Sequence, residues 1–207
     1  MSKKWLKVAL MVTAIATSTS IQVDAETVLF VPQDDRPVSL QYTVDTAKAA
    51  GMTVLTPPQN LISGKTYKGQ ADQIWNWVEQ NAGRADVMVL STDTLIYGGL
   101  VDSRKHNLPL STLEYRLKRI EALKANYKNT RIYGFGTVMR SPRASGGGTE
   151  PSYYADYGPT IFQIAALQDK LDAGTLTQAE TQKLMSLQAS VPIEYLQDWF
   201  SRRQKNM

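Results

Sequence analysis

Apolar residues fall in short blocks along this chain, and helical patterns fill the intervals between them. "TVLFVP" (27–32) is a first strand block, followed by the polar turn "QDDRPVS" and a helix over about Leu40 to Ala50 that stops at Gly51. "MTVLTP" (52–57) is a second strand, and "ADQIWNWVEQNA" (71–82) carries Ile74, Trp77 and Val78 on one helical face. "DVMVLS" (86–91) is continuously apolar, as in a strand buried on both faces. Ser111 and Glu114 have the spacing of a capping box, so a third helix starts there and buries Leu113, Leu117, Ile120 and Leu123. "TRIYGFGTVM" (130–139) reads as a fourth strand, kinked at its glycines. The polar stretch "RSPRASGGGTEPSYYADYG" (140–158) has no periodicity and reads as a long loop. From Pro159 onward the pattern is helical, with one helix ending at Gly174 and a second capping box at Thr177 and Glu180. Strands alternating with helices predict an α/β fold: a mostly parallel sheet of about four strands with flanking helices, Rossmann-like or a partial barrel, and a helical C-terminal region.

The first residues follow a different logic. Lys3, Lys4 and Lys7 make a basic start, Val8 to Ala16 a short apolar run, and Val23-Asp24-Ala25 a small-x-small site. This predicts a signal peptide over residues 1–25, cleaved between Ala25 and Glu26. The apolar run is shorter than the ~20 residues a membrane-spanning helix needs, so no membrane span is expected once the leader is removed. The expectation is an exported protein, secreted or extracytoplasmic, with residues 26–207 as a single domain.

The net charge of +4 includes the three leader lysines, which leaves the mature part near balance. No nucleic-acid partner is expected from it. The chain has no cysteine, which excludes disulfides, thiol nucleophiles and cysteine metal sites. His106 is the lone histidine and lies in a polar turn, so triad hydrolysis and histidine metal sites are disfavoured and the residue is expected to be solvated. "GFGTVMRSPRASGGG" fits neither the phosphate-loop nor the dinucleotide fingerprint. The sequence assigns no metal and leaves any cofactor unknown.

In parallel α/β sheets the loops leaving the carboxyl ends of strands share one edge, where ligands bind. Three such loops are rich in chemistry here. The first carries Asp34, Asp35 and Arg36, the second Asp93, Tyr97, Gly98, Gly99 and Arg104, and the third Arg140, Tyr153 and Tyr154. The acids are candidates for general acid, base or nucleophile in glycoside hydrolysis, or for holding a hard cation. The arginines and Tyr97 would contact substrate, the glycine pair would let backbone approach it, and Tyr153 and Tyr154, with Tyr157 and Glu150, suit a lid that stacks on a sugar ring. Each also has a purely structural reading. An aspartate before proline caps a turn, glycines serve positive φ, and tyrosines pack onto a sheet.

Three stretches, "VPQDDRPVSL", "LSTDTLIYGGLVDSR" and "GFGTVMRSP", together resemble the amino-terminal part of a family of bacterial proteins grouped only as a domain of unknown function. The resemblance covers about residues 27 to 200 and implies no reaction. Members of that family are generally longer, which implies that this chain is the N-terminal part of a larger α/β domain. Two readings of function follow from the loops. One is a carbohydrate-active hydrolase using Asp34, Asp35 and Asp93, and the other a non-catalytic glycan-binding envelope protein using the same surface. An inactive truncated product is the third expectation.

Overall fold

β-branched and leucine-rich blocks make the strands, and their alternation decides which face each residue serves. The structure, a computed structural model, describes residues 25–141, 143 and 148–206. Residues 1–24 of the expected leader (1–25) lie outside them. Four parallel strands, β1 (Thr27–Val31), β2 (Thr53–Leu55), β3 (Val87–Ser91) and β4 (Arg131–Phe135), pair in the order β2-β1-β3-β4. Between them and after them run α1 (Gln41–Ala49), α2 (Ala71–Asn81), α3 (Leu100–Lys105), α4 (Leu110–Asn126), α5 (Tyr154–Asp172), α6 (Gln178–Ala189) and α7 (Ile193–Asn206). The α/β fold and parallel sheet expected from the alternating pattern are both present.

Leu29, Val31, Met88 and Leu90 point to one face, where Ile74, Trp75 and Val78 of α2 and Leu123 of α4 complete the main core. Val28, Phe30 and Val87 point to the other, covered in part by Leu40 and by Val44 of α1. An apolar groove of about 300 Å³ stays open there between α1 and Tyr133 of β4. β4 pairs with β3 alone and is largely exposed.

A second core is mainly helical, with Met139 from the segment after β4 and Val191 from the turn before α7 packed into it. Tyr154, Ile161 and Ile164 of α5, Leu184 of α6, and Leu196 and Trp199 of α7 form it. Polar bonds tie it to the sheet half: Arg202 donates to Asn107 Oδ1 at 2.7 Å and to the His106 carbonyl, and the Tyr97 hydroxyl donates to the Lys205 carbonyl at 2.9 Å.

Several local expectations change. In α2 the fully buried ring is Trp75, whose indole N–H donates to the Leu95 carbonyl at 2.8 Å, while Trp77 is only partly covered. Helix α4 begins at Leu110 behind Pro109, and Ser111 and Glu114 make no capping box but face solvent. Arg116 turns inward in α4 to grip Asp72 at 3.1 and 3.0 Å and the Ile96 carbonyl at 2.7 Å, which leaves Leu117 outside. β4 is shorter than expected because it stops at Gly136, where a Cβ would lie 2.1 Å from Thr92 Oγ1. The capping box at Thr177 and Glu180 is formed as expected.

Candidate ligand site at the strand ends

β1 and β3 are neighbours, and the chain passes from β1 outward to β2 on one side before returning to β3 on the other. The winding therefore reverses between their carboxyl ends, the position at which open α/β sheets keep ligands. The three loops singled out in the sequence leave the sheet on this edge.

Asp93 ties the strand ends together. The chain leaves β3 in a single π-helical turn, Asp93–Tyr97, which turns the carboxylate inward. It is only 2% exposed. Its Oδ2 accepts from Gln33 Nε2 at 2.8 Å, from the Thr137 backbone N–H at 2.9 Å and from Thr137 Oγ1 at 3.2 Å. One carboxylate thus joins the loops after β1, β3 and β4.

The Asp-Asp-Arg-Pro turn divides its two acids. Asp34 is buried and folds back on its own turn, accepting from the Arg36 backbone N–H at 3.2 Å and from the guanidinium at 2.8 and 2.7 Å. That hydrogen bond raises the Arg36 pKa above its ordinary value, against the opposing effect of burial. Asp35 reaches the other way and accepts from the Tyr67 hydroxyl, raising the phenol's pKa, while its backbone N–H donates to the Ser63 carbonyl at 2.9 Å.

Glu150, buried in the loop after β4, gathers two arginines. Its Oε1 accepts from Arg140 Nε at 3.1 Å and Nη2 at 2.7 Å, and Arg104 Nη1 lies 3.6 Å away. Burial lowers the Arg104 pKa, repulsion from Arg140 and Arg36 lowers it further, and Glu150 and Asp93 oppose both. Arg104 of α3 thus lies within electrostatic range of both Arg36 and Arg140, each more than thirty residues away in sequence.

The glycine pair has a packing role. Gly98 has φ +107°, a conformation that disfavours any side chain. A Cβ on Gly99 would lie 1.8 Å from Ser63 Oγ, and one on Gly69 would lie 2.0 Å from the Gly98 carbonyl oxygen. The close approach is therefore to residues 63 and 69 of the chain itself. It positions Asp102, which accepts from the Gly69 N–H at 3.3 Å. Burial pushes the Asp102 carboxyl up, and Gly69, Lys68 and Lys105 pull it back in part.

Tyr153 is the N-cap of α5 and Tyr154 its first residue, so the tyrosine pair marks a helix start and not a free loop. Tyr154 opens α5 and is 2% exposed in the helical core, so it has no free face for a sugar. The Tyr153 hydroxyl donates to Asp198 Oδ2 at 2.8 Å and its ring stacks on Tyr195 with centroids 4.8 Å apart. Asp198 combines with burial to raise the Tyr153 pKa. The unpatterned stretch concealed a helix start because Pro159 sits within the helix and breaks the reading. Tyr97 is likewise engaged, through Lys205.

His106 is buried where a solvated residue was expected, with its ring 4.8 Å from that of Tyr97. Burial, reinforced by Arg202 and Lys205, lowers its pKa from 6.5 to about 4. It is neutral at pH 7, and its Nδ1 accepts from the Leu108 N–H at 3.3 Å.

Two clefts flank Asp102. One, of about 310 Å³, is lined by Gln70, Gln73, Tyr97 and Asn107, and the other, of about 330 Å³, by Lys65, Tyr67 and Lys105; Lys68 and Asp102 belong to both. Asp102, Gln33 and Thr137 were not singled out in the sequence although each stands inside one of the quoted motif stretches, and the three lysines carry no motif. Among the described residues no group of three or more histidine or acidic side chains is placed to hold a metal ion. Nor is any described helix long and apolar enough to cross a membrane.

No curated protein and no solved structure matches this chain. A family model does match, over residues 28–207, and it spans the sheet, the strand-end loops and the helical core alike. The chain therefore belongs to the family described as protein of unknown function DUF4127.

Proposed function

We propose that this chain is an exported carbohydrate-binding protein, with residues 26–207 as its mature domain and the strand-end edge as its ligand surface. The basic, apolar and small-residue segments of the first 25 residues support export. Engagement of the acids is the observation that carries binding over hydrolysis. Asp34 is held by Arg36, Asp35 by Tyr67, and Asp93 by Gln33 and Thr137. A glycosidase acid, base or nucleophile needs a carboxyl oxygen free to meet the scissile bond or its water, with the paired carboxyls ~5–9.5 Å apart across open space. Carboxylates satisfied by protein donors serve instead to fix loops. Arg104 and Arg140 then share a single buried counter-ion and retain donors for a ligand's hydroxyl and acidic groups.

A glycan array and a reducing-end assay on the same purified mature protein test this reading. The expected result is array binding that is lost in Arg104→Ala, with no new reducing ends. Release of reducing ends that stops in Asp35→Asn would replace it with the hydrolase reading. Mass spectrometry of the exported protein should find Glu26 at its start, and an intact Met1 on a cytoplasmic pool would overturn export.

A further inference from the structure

Lys65 and Lys68 stand on the exposed segment before α2, and Lys105 ends α3, so the cleft between these elements is walled by three ammonium groups. Asp102 is the only carboxylate in its lining. Lys105 donates to the Gly148 carbonyl at 3.0 Å, whereas among the described residues neither Lys65 nor Lys68 makes an ion pair or hydrogen bond. A cleft lined by one sign of charge raises the local concentration of the opposite ion. Lysine ammoniums, as compact point charges, suit phosphate or carboxylate.

The cleft does not end at its lysines. It meets the second cleft at Lys68 and Asp102, where the lining gains the amides of Gln70, Gln73 and Asn107 and the ring of Tyr97 beside the Asp72–Arg116 ion pair. Amides donate and accept at once, as sugar hydroxyls require, and a tyrosine ring offers an apolar face beside them. Asp102 sits at the junction with one long bond from Gly69 and, among the described residues, no ion pair, so it retains acceptor capacity for hydroxyls of a ligand crossing between the clefts.

We propose that the two clefts form one groove for an acidic glycan, with its phosphate or carboxylate held by Lys65, Lys68 and Lys105 and a neutral sugar unit beyond Asp102 against Tyr97 and the amides. The inference rests on the carbohydrate reading above and names the chemistry of its ligand. Calorimetric titration of the mature chain with glucose, glucuronic acid, glucose 6-phosphate and inorganic phosphate tests it. At least one acidic sugar should bind about tenfold or more tighter than glucose, the equivalent of one charge-assisted contact. That margin should shrink with added salt and disappear in the Lys65→Gln/Lys68→Gln double variant, whose exposed positions leave the fold intact. Which acidic sugar wins decides between phosphate and carboxylate. No margin, or one that survives in the double variant, overturns the inference. Lysine-dependent binding of inorganic phosphate that equals that of glucose 6-phosphate would keep the anion subsite and remove the carbohydrate reading. Sugar binding that ignores both lysines would do the reverse.

Discussion

Replacing Asp93 should reveal itself first in stability, and two substitutions separate the contributions. In Asp93→Asn the amide oxygen can occupy the place of Oδ2 and keep the bonds from Gln33 Nε2 and the Thr137 N–H, and the amide nitrogen can donate to Thr137 Oγ1 if that hydroxyl turns. What goes is the charge. Bonds to charged groups contribute ~1.5–3 kcal/mol net against ~0.5–1.5 for neutral ones, so two strong bonds lose about 2 kcal/mol, less whatever is recovered by no longer burying an anion. Asp93→Ala removes the acceptor altogether and loses both charge-assisted bonds to the part-buried Gln33 amide and Thr137 N–H, at ~1.5–3 kcal/mol each, or about 4 kcal/mol in total. A domain of this size loses roughly 2–4 °C in melting temperature per kcal/mol, which gives about 4–8 °C for Asn and 8–16 °C for Ala. Thermal unfolding by circular dichroism, read beside glycan binding, is the assay. Asn and Ala variants that melt together would refute the three-loop tie, and an Asn variant with unchanged melting but abolished binding would make Asp93 a ligand contact instead.

Gly99→Ala should destabilise by about 3 kcal/mol through overpacking against Ser63, visible as a lower urea midpoint at constant m-value; an unchanged midpoint would show that Ser63 yields freely. Lowering pH from 6.5 to 4 should cost stability through His106. Its folded pKa of about 4 lies below its ordinary 6.5, so the unfolded chain takes up the proton first; the stabilisation is complete above 6.5 and is lost as pH falls through this window. His106→Gln should flatten that part of the pH profile, and an identical profile would assign the loss to other groups. Thr177→Ala should cost about 1 kcal/mol by removing the cap of α6, and a melting point within error of the parent would mean the helical core holds α6 without it.

The sheet was legible because burial on two faces requires apolar blocks, whereas the order of its strands depends on pairings between segments far apart in the chain. The Asp-Asp-Arg-Pro turn was half legible. A self-capping aspartate is a local event, visible as Asp34 two residues before Arg36, whereas the partner of Asp35 is Tyr67 and no local rule names it. Asp93 stood out as an acid at the end of an apolar strand, yet its donors, Gln33 and Thr137, come from 60 and 44 residues away. Capping boxes show the limit of local pattern: Thr177 and Glu180 form one, while Ser111 and Glu114 have the same spacing but follow Pro109, which caps the helix two residues early. The tyrosine cluster misled because a proline inside a helix looks like a loop, and because aromatic residues that pack in a helical core look from sequence like residues that stack on sugars.

β4 has only one hydrogen-bonded neighbour, and Thr137, the donor that closes the tie on Asp93, hangs two residues beyond its end. β2 is the sheet's other edge, but its side chains are better covered, so amide exchange should be fastest on β4, whose outward N–H groups have no partner strand among the described residues and whose side chains are largely exposed. Each opening of β4 also withdraws Thr137 and slackens the floor on which the strand-end loops rest. A ligand that grips Arg140 and the loop after β4 would raise the cost of that opening. Occupancy of the site would then be readable at a distance, as slowed exchange along Arg131–Phe135, by a strand that touches no ligand.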